Sequence, residues 1–599
     1  MIKLFYESWV NLMDQLEQLN KQCFHCPKPF CSAECPVHQP IPTILDMYAE
    51  GKRKEAFDLL FKTNPLIGLC GPLCPHEDLC AKGCPYYKKN KAIIPFYKVE
   101  VALRGEFNCF DFQFPEVNKG KIAVIGSGPA GLAAAVKLRQ AGFSVDVYEK
   151  EQQIGGIIRY EIPEYRYQDT YLDELYEHLK SDINFNFGFE FGKNLLLDDL
   201  KAYDFILIAC GCTKAKKYID HPNVYLGSPL LRELKQGLVI KNKKIAVLGC
   251  GHIALDVAGS LKRLGNDVTI IYRRLKQYAP VTPTNMELML KEGISFRELL
   301  TAYDYQDGKL YLRKMTTGPL DASNRPSVVP TDEVFTESFD MAVEVYGSDP
   351  DYDYLSKYDW FKRRLNKRWL CLNNYQNIYF VGDYYNHPTE IAKAIADGYK
   401  NASAVITAQS NLERLQKALK DKKVVFGGSF NPLTLGHQEV IDYLLKYVSP
   451  NVVLLPNGDS YSNKTLIPYV DRVKMIRLVY PDIEIDDYET HQDFRGTYQY
   501  LIDQNHPFFV IGSDSFKNLP NWINGEQLVK ENNFIVFIRD QEEVDSIINE
   551  NDLLKNNLDH FYFLTPCILP TSASSYRSGE SIDVVDARIH EYATKKQLY

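Results

Sequence analysis

Apolar and polar positions divide this chain into two kinds of territory. Up to about residue 115 the pattern is helical and crowded with cysteines, while beyond it short apolar runs end in glycines and pass into helical patterns. Such strand–glycine–helix units begin at Lys121 (KIAVIGSGPAG), Lys244 (KIAVLGCGHIA) and Lys423 (KVVFGGSFNP), and each apolar run is short enough for a buried parallel strand. The alternation predicts an α/β architecture with three candidate nucleotide sites. A polar amphipathic stretch without Gly or Pro predicts a helix over residues 406–421 joining two halves.

Composition adds bounds. A chain of 599 residues exceeds one hydrophobic core, and a prior of about 150 residues per domain gives roughly four domains. The 45% hydrophobic and 24% charged residues are those of a globular protein, and the net charge of −8 argues against a general binder of nucleic acid or anionic membrane. No basic segment leads into an apolar run of signal-peptide length, and no apolar stretch approaches a membrane span, so a soluble cytoplasmic protein is expected. Eight of the 14 cysteines lie between Cys23 and Cys84, which in a reducing compartment points to metal ligation rather than disulfides.

The cysteines run Cys23-x2-Cys26-x4-Cys31-x3-Cys35-Pro36 and Cys70-x3-Cys74-Pro75-x4-Cys80-x3-Cys84-Pro85. Cubane [4Fe–4S] clusters are held by thiolates, and a Cys-Pro ending is typical of runs whose last cysteine crosses to a second cluster, so eight cysteines suffice for two. A pair of Cys₄ zinc sites is the competing reading, weakened by the flavin motif downstream. Across roughly residues 20–405 the chain resembles the N-terminal part of dihydropyrimidine dehydrogenase and the small subunit of glutamate synthase. That resemblance implies that Cys23, Cys26, Cys31 and Cys84 hold one cluster and Cys35, Cys74 and Cys80 the other. The eighth ligand it implies is a glutamine where this chain has Glu100, which leaves Glu100 and Cys70 as rivals.

Gly126-x-Gly128-x-x-Gly131 follows the run IAVI and opens a small-residue helix, the context a dinucleotide fold requires. The first glycine permits the turn, the second lets backbone approach a pyrophosphate, and the third allows close helix–strand packing. Glu149 ends the next strand, where a carboxylate suits ribose hydroxyls and repels a 2′-phosphate. Resemblance to the same family assigns this site to FAD and adds Gly156 and Arg166 beside the flavin, Gly382 and Asp383 at its pyrophosphate and ribityl chain, and Thr389 near its ring.

The second unit, Gly249-x-Gly251-x-x-Ala254, ends its following strand in Arg273-Arg274 instead of a carboxylate. Guanidinium groups pair bidentately with a 2′-phosphate, so NADPH is favoured over NADH, although two arginines also make an ordinary solvated turn. His252 stands where the small-subunit family often has Asn. A hydride donor, a flavin and one-electron clusters together read as an electron-input module, and without a recognisable acceptor segment in the chain, a separate electron-accepting protein is expected.

The third unit reads GGSFNPLTLGHQEV, with Gly427, Gly428, Ser429, Phe430, Thr434, Gly436 and His437. It resembles the (H/T)xGH signature of nucleotidyltransferases, in which a phosphate attacks the α-phosphate of ATP and the protein positions substrates and stabilises charge. Further segments follow in family order: Asn463-Lys464, Arg472 with Met475, Gly512 with Asp514 and Trp522, Arg539, and TSASSYR with Ser574 and Arg577. Over about residues 422–590 the chain is similar to nicotinate-nucleotide adenylyltransferase. That resemblance implies that His437, Lys464, Ser574 and Arg577 contact phosphates, that Trp522 stacks on the pyridine ring, and that Mg²⁺ arrives with ATP. Thr434 replaces the usual first histidine and YSNK the usual PPHK, and the threonine form makes pantetheine-phosphate adenylyltransferase the nearest rival. A further alternative is that one half only senses or docks.

The expected domains are therefore a helical [4Fe–4S] domain at 1–115, a FAD-binding Rossmann-like domain at 116–240 and 365–405, an NADPH-binding Rossmann-like domain at 241–364, the joining helix, and a Rossmann-like nucleotidyltransferase at 422–599.

Overall fold

The computed structural model describes residues 23–90, 94, 96–320, 325–366, 374–375, 377–420, 422–459, 466–491, 496–538, 541–564 and 571–599. The chain forms two compact units, one of Met1–Ser356 with Phe380–Ser403, the other of Lys357–Tyr379 with Ala404–Tyr599. The segment Lys357–Tyr379, which the sequence divides between the two dinucleotide-binding domains, falls with the second unit. Strand and glycine patterns locate elements, not the side on which a connection packs.

The first unit opens with short helices: α1 (Phe30–Glu34), α2 (Ile41–Ala49), α3 (Arg53–Thr63), α4 (Ile67–Leu73), α5 (Cys80–Gly83), α6 (Pro85–Asn90) and α7 (Phe96–Glu106). They surround Ile44, Tyr48, Leu60, Val99 and Leu103, all fully buried. Four strands follow, β1 (Lys121–Ile125), β2 (Ser144–Glu149), β3 (Asn184–Phe187) and β4 (Phe205–Ile208), paired in parallel in the order β4-β1-β2-β3. Helix α8 (Pro129–Gln140) links β1 to β2; Gly128 N-caps it and Pro129 sits at its first position, where no backbone donor is lost.

The second sheet has the order β5-β12-β6-β7-β8. Its strands are β5 (Val224–Leu226), β6 (Lys244–Leu248), β7 (Asp267–Tyr272), β8 (Ser295–Glu298) and β12 (Met341–Glu344), with helix α9 (His252–Arg263) between β6 and β7. Between β8 and β12 lies an antiparallel sheet of β9 (Leu300–Gln306), β10 (Lys309–Leu320) and β11 (Pro326–Ser338).

One helix, α10 (Ile391–Leu419), runs from the first unit into the second. The joining helix expected over 406–421 is thus its C-terminal part: no breaker separates the two stretches, and Gly398 packs so closely that a Cβ there would meet the Ala130 carbonyl at 2.3 Å. Leu415 and Leu419 enter the core of the second unit. That unit is built on a parallel sheet, β15-β14-β13-β16-β17-β18. Its strands are β13 (Val424–Gly428), β14 (Val452–Pro456), β15 (Glu484–Ile485), β16 (Phe508–Gly512), β17 (Phe534–Phe537) and β18 (Phe561–Leu564). Among the described residues no helix is long and apolar enough to cross a membrane.

Candidate functional site

The glycine turn after β1 is as tight as its motif requires. Gly126 has φ +100°, a Cβ on Gly131 would sit 1.9 Å from the Gly126 carbonyl oxygen, and one on Gly156 would sit 2.9 Å from Gly128 Cα. Glu149 at the end of β2 is buried; its Oε2 accepts from the Ser127 N–H at 2.8 Å and the Ser127 hydroxyl at 2.6 Å, and its Oε1 from the Glu151 N–H at 3.0 Å. Ser127 is a member of this site that the motif hides in an unspecified position.

The second flavin segment lands beside the first. The Val381 N–H donates to the Ile208 carbonyl of β4 at 2.9 Å, which brings Gly382, with φ +64°, onto Ala130 of α8. The Gly382 N–H donates to Asp397 at 2.6 Å, and Asn401 holds the same carboxylate at 3.1 Å, two polar residues that the sequence reading did not single out. Asp383 accepts from the N–H and hydroxyl of Thr389 at 3.1 and 2.7 Å. Burial raises its carboxyl to about 6, against the lowering effect of those hydrogen bonds. Arg166 makes a two-oxygen pair with Asp256 of α9, at 2.7 and 2.5 Å.

These residues border one cavity of about 1080 Å³. Gly126, Gly128, Glu149, Gly156, Asp383 and Thr389 line it from the first dinucleotide fold. Gly251, His252 and Asp256 line it from the second, and Cys74, His76 and Tyr97 from the cysteine-rich helices. His76 and Tyr97 stack at 4.1 Å. His252 is held below the ordinary imidazole range by burial, then by the Arg166 cation, with Asp256, Asp78 and Glu390 opposing. At the second glycine turn a Cβ on Gly249 would meet the Val345 carbonyl at 2.4 Å, and Ala254 is fully buried. Arg273 is exposed at the end of β7, while Arg274 donates to the Pro326 carbonyl at the start of β11. That contact brings in Arg325, whose positive charge, with those of Arg274 and Arg273, acts on Tyr272 at the end of β7. No spacing rule could have linked Arg325 to a strand end some fifty residues earlier in the chain.

The thiols fall into two neighbourhoods. Cys23, Cys26, Cys31 and Cys84 act electrostatically on one another, as do Cys35, Cys70, Cys74, Cys80 and Glu100, and Cys31 also acts on Cys80 across the two groups. Cys70 and Cys74 are one helical turn apart, the Cys74 N–H donating to the Cys70 carbonyl at 2.9 Å. Burial pushes the Glu100 carboxyl up to about 8. Among the described residues no three Cys, His, Asp or Glu side chains are drawn together as a formed metal shell. The donor chemistry of each neighbourhood nonetheless fits an iron–sulfur group: four thiols in one, four thiols and a carboxyl in the other.

In the second unit, Thr434 N-caps helix α11 (Leu435–Tyr443) in a reciprocal box with His437. The Thr434 N–H donates to His437 Nδ1 at 3.1 Å, so Nδ1 is an acceptor and, in the neutral ring, the proton sits on Nε2. Thr571 donates to Thr434 Oγ1 at 2.9 Å and accepts from the Gly436 N–H at 3.0 Å, tying the signature to a segment 135 residues later. These residues border a cleft of about 290 Å³, shared with Gly427, Gly428, Ser429, Gly512, Asp514 and Trp522. Glu489 lines it too, accepting from Asn457 at 2.8 Å, its carboxyl raised by burial. A Cβ on Gly427 would strike the Phe509 ring at 2.5 Å, and Phe430 is buried beneath the turn. Arg472, fully buried, holds the turn through the Ser429 carbonyl at 3.0 Å.

Two expected phosphate ligands stand elsewhere. Ser574 and Arg577, on the short helix α12 (Ala573–Arg577), do not line the cleft; Arg577 donates to the Asn431 carbonyl at 2.6 Å. Lys464 and Arg539 lie outside the described residues.

Residues 120–398 match the family described as pyridine nucleotide-disulphide oxidoreductase, and residues 8–102 that described as dihydropyrimidine dehydrogenase domain II, 4Fe-4S cluster. The N-terminal region thus matches a 4Fe-4S family model and a pyridine-nucleotide oxidoreductase family model, and it is similar to the glutamate synthase small chain. Residues 425–579 match the cytidylyltransferase-like family. Glutamate synthase [NADPH] small chain of Azospirillum brasilense is 27% identical over 442 residues, covering 67% of this chain and 91% of its own length. Putative oxidoreductase YgfK of Escherichia coli K12 is 28% identical over 413 residues, covering 65% of this chain; the chain spans only 39% of that relative's length. Among solved structures, FprA of Mycobacterium tuberculosis in complex with NADPH is 17% identical, covers 55% of this chain and 90% of its own, and has a TM-score of 0.42.

Proposed function

We propose that the chain is bifunctional: an NADPH-dependent FAD and iron–sulfur oxidoreductase that delivers electrons to a separate acceptor, and an ATP-dependent adenylyltransferase that converts nicotinate mononucleotide to deamido-NAD. The observation that carries the first half is the single cavity bordered by Glu149 and Gly128, by Gly251 and His252, and by Cys74. With NADPH and FAD held by the two glycine turns and an iron–sulfur group by the thiols, the flavin would take up a two-electron hydride and pass the electrons on singly. The residues hold and orient: the tied Glu149 faces ribose hydroxyls, the backbone between Gly126 and Gly131 accommodates a pyrophosphate at the start of α8, and Asp383 with Thr389 borders the ring end. The Arg273, Arg274 and Arg325 guanidiniums suit a 2′-phosphate. Cys23, Cys26, Cys31 and Cys84 would hold one [4Fe–4S] group, and Cys35, Cys74 and Cys80 with Glu100 or Cys70 a second. About eight irons and one FAD per purified chain, with NADPH-dependent dye reduction, is the expected result; zinc in their place overturns it.

In the second half, the phosphate of nicotinate mononucleotide attacks the α-phosphate of ATP, and pyrophosphate leaves with Mg²⁺. His437 donates from Nε2 to the phosphates, Thr434 and Thr571 fix its ring and the helix N-terminus, and Trp522 borders the pyridine end. Formation of deamido-NAD from ATP and nicotinate mononucleotide tests this. His437→Ala is expected to lower kcat about 10²-fold or more with the fold intact; turnover of phosphopantetheine instead would assign the cleft to the rival transferase.

A further inference from the structure

The two thiol neighbourhoods differ in what surrounds them. The inner one reaches the cavity through Cys74, while Glu100 is buried among the helices and Cys35 and Cys80 are half-buried. Beside the outer one, Cys23, Cys26, Cys31 and Cys84, stand exposed aromatic rings, Phe24 next to Cys23 and Phe30 next to Cys31. Phe24 is 47% and Phe30 54% exposed, large apolar groups that folding leaves in water. Phe24 packs edge-on against Tyr86 at 5.5 Å, which joins the Cys23 segment to α6. Helices α1 and α5 touch closely, Glu34 lying against Gly83, so the rim is one continuous patch.

Four lysines stand on these same elements: Lys28 before α1, Lys82 in α5, and Lys88 and Lys89 in α6. All four are exposed, and among the described residues none forms an ion pair. Glu34 is the exposed acid on the rim, and Asp46 is occupied by His25 at 3.4 Å. A chain of net charge −8 thus gathers four exposed lysines around exposed aromatics, Lys82 alone facing a nearby acid in Asp78, beside thiols that do not line the cavity. An apolar centre with a mainly basic rim is the arrangement that recruits an acidic protein, steering encounter through the lysines and burying the rings on contact.

We propose that the face formed by Phe24, Phe30 and Tyr86 with Lys28, Lys82, Lys88 and Lys89 docks a small electron-carrier protein with an acidic face. This rests on the reading of the first unit as an electron-input module. The length of the lysine side chains lets them reach acids across a rim while the rings seat on apolar surface.

The test measures binding of the full-length holoprotein to an oxidised acidic [2Fe–2S] ferredoxin, with a basic cytochrome c as the opposite-charge probe, at low and high salt. The wild type should bind the acidic carrier and weaken with salt. The variant K28A/K82A/K88A/K89A should bind it at least tenfold more weakly, and the four-arginine variant should restore binding. Iron and flavin content and NADPH-dependent reduction of a small neutral dye should be unchanged in both. No binding by the wild type, equal binding by the alanine variant, or preference for the basic probe overturns the docking surface while dye reduction persists. Loss of dye reduction in the wild type overturns the electron-input reading itself.

Discussion

Strands β2 and β7 occupy the same place in two like-built folds, each the second parallel strand after a glycine turn, and they end in opposite charge. At β2 the end is Glu149, buried and held by Ser127 and Glu151 N–H groups. At β7 it is Arg273 and Arg274, joined by Arg325 from the start of β11. Backbone geometry at the two turns is shared: Gly126 has φ +100° and Gly249 φ +127°, and each would press a Cβ into a carbonyl. On the function proposed above, the turn admits a dinucleotide and the strand end selects which one. A fixed carboxylate favours free ribose hydroxyls, whereas a guanidinium cluster favours a phosphate.

The largest expected effect removes what the two folds share. Gly131→Val forces side-chain atoms into the Gly126 carbonyl, so the purified variant should carry no FAD by absorbance while its transferase cleft still turns over. At β2 alone, Glu149→Gln keeps the shape and removes the charge that Ser127 and Glu151 hold. FAD affinity, measured by reconstitution, should fall about tenfold or more, at roughly 1.4 kcal/mol per tenfold. At β7, Arg273→Ala with Arg274→Ala should raise the KM for NADPH about tenfold or more and leave that for NADH within a factor of two. Arg325→Ala should move the same ratio by a few-fold; an equal change for both nucleotides would reduce Arg325 to a packing role.

A separate effect, on stability rather than affinity, depends on pH. Burial lifts the Asp383 carboxyl to about 6 from 3.8. The folded chain thus holds this proton more tightly than the unfolded one, so the group's stabilisation is full below about pH 4 and is lost as pH rises through 6. Asp383→Asn should flatten that part of the pH dependence by about 3 kcal/mol in urea unfolding of the flavin-free protein.

Much of this was legible along the chain, and the illegible part has a common cause. The glycine turns, Glu149, the arginine pair and the TxGH helix were readable because each is a local pattern tied to one turn. Ser127 was not, because it fills an unspecified position of the motif, nor were Asp397, Arg325 and Thr571, because each reaches a motif from elsewhere in the chain and residues of these types are common everywhere. The joining helix was read too short for a related reason: nothing local marks where the closing flavin helix stops, since it does not stop until Leu419. Arg577 shows the converse, a motif residue whose guanidinium meets the Asn431 carbonyl rather than the cleft.

The most direct test is an anaerobic titration of the purified full chain with NADPH and, separately, NADH, following flavin and iron–sulfur absorbance together. The expected result is bleaching of both chromophores, reached at a lower concentration of NADPH than of NADH. No flavin absorbance, no bleaching, or equal response to the two nucleotides would contradict the assignment of the two strand ends and the electron-input role built on them.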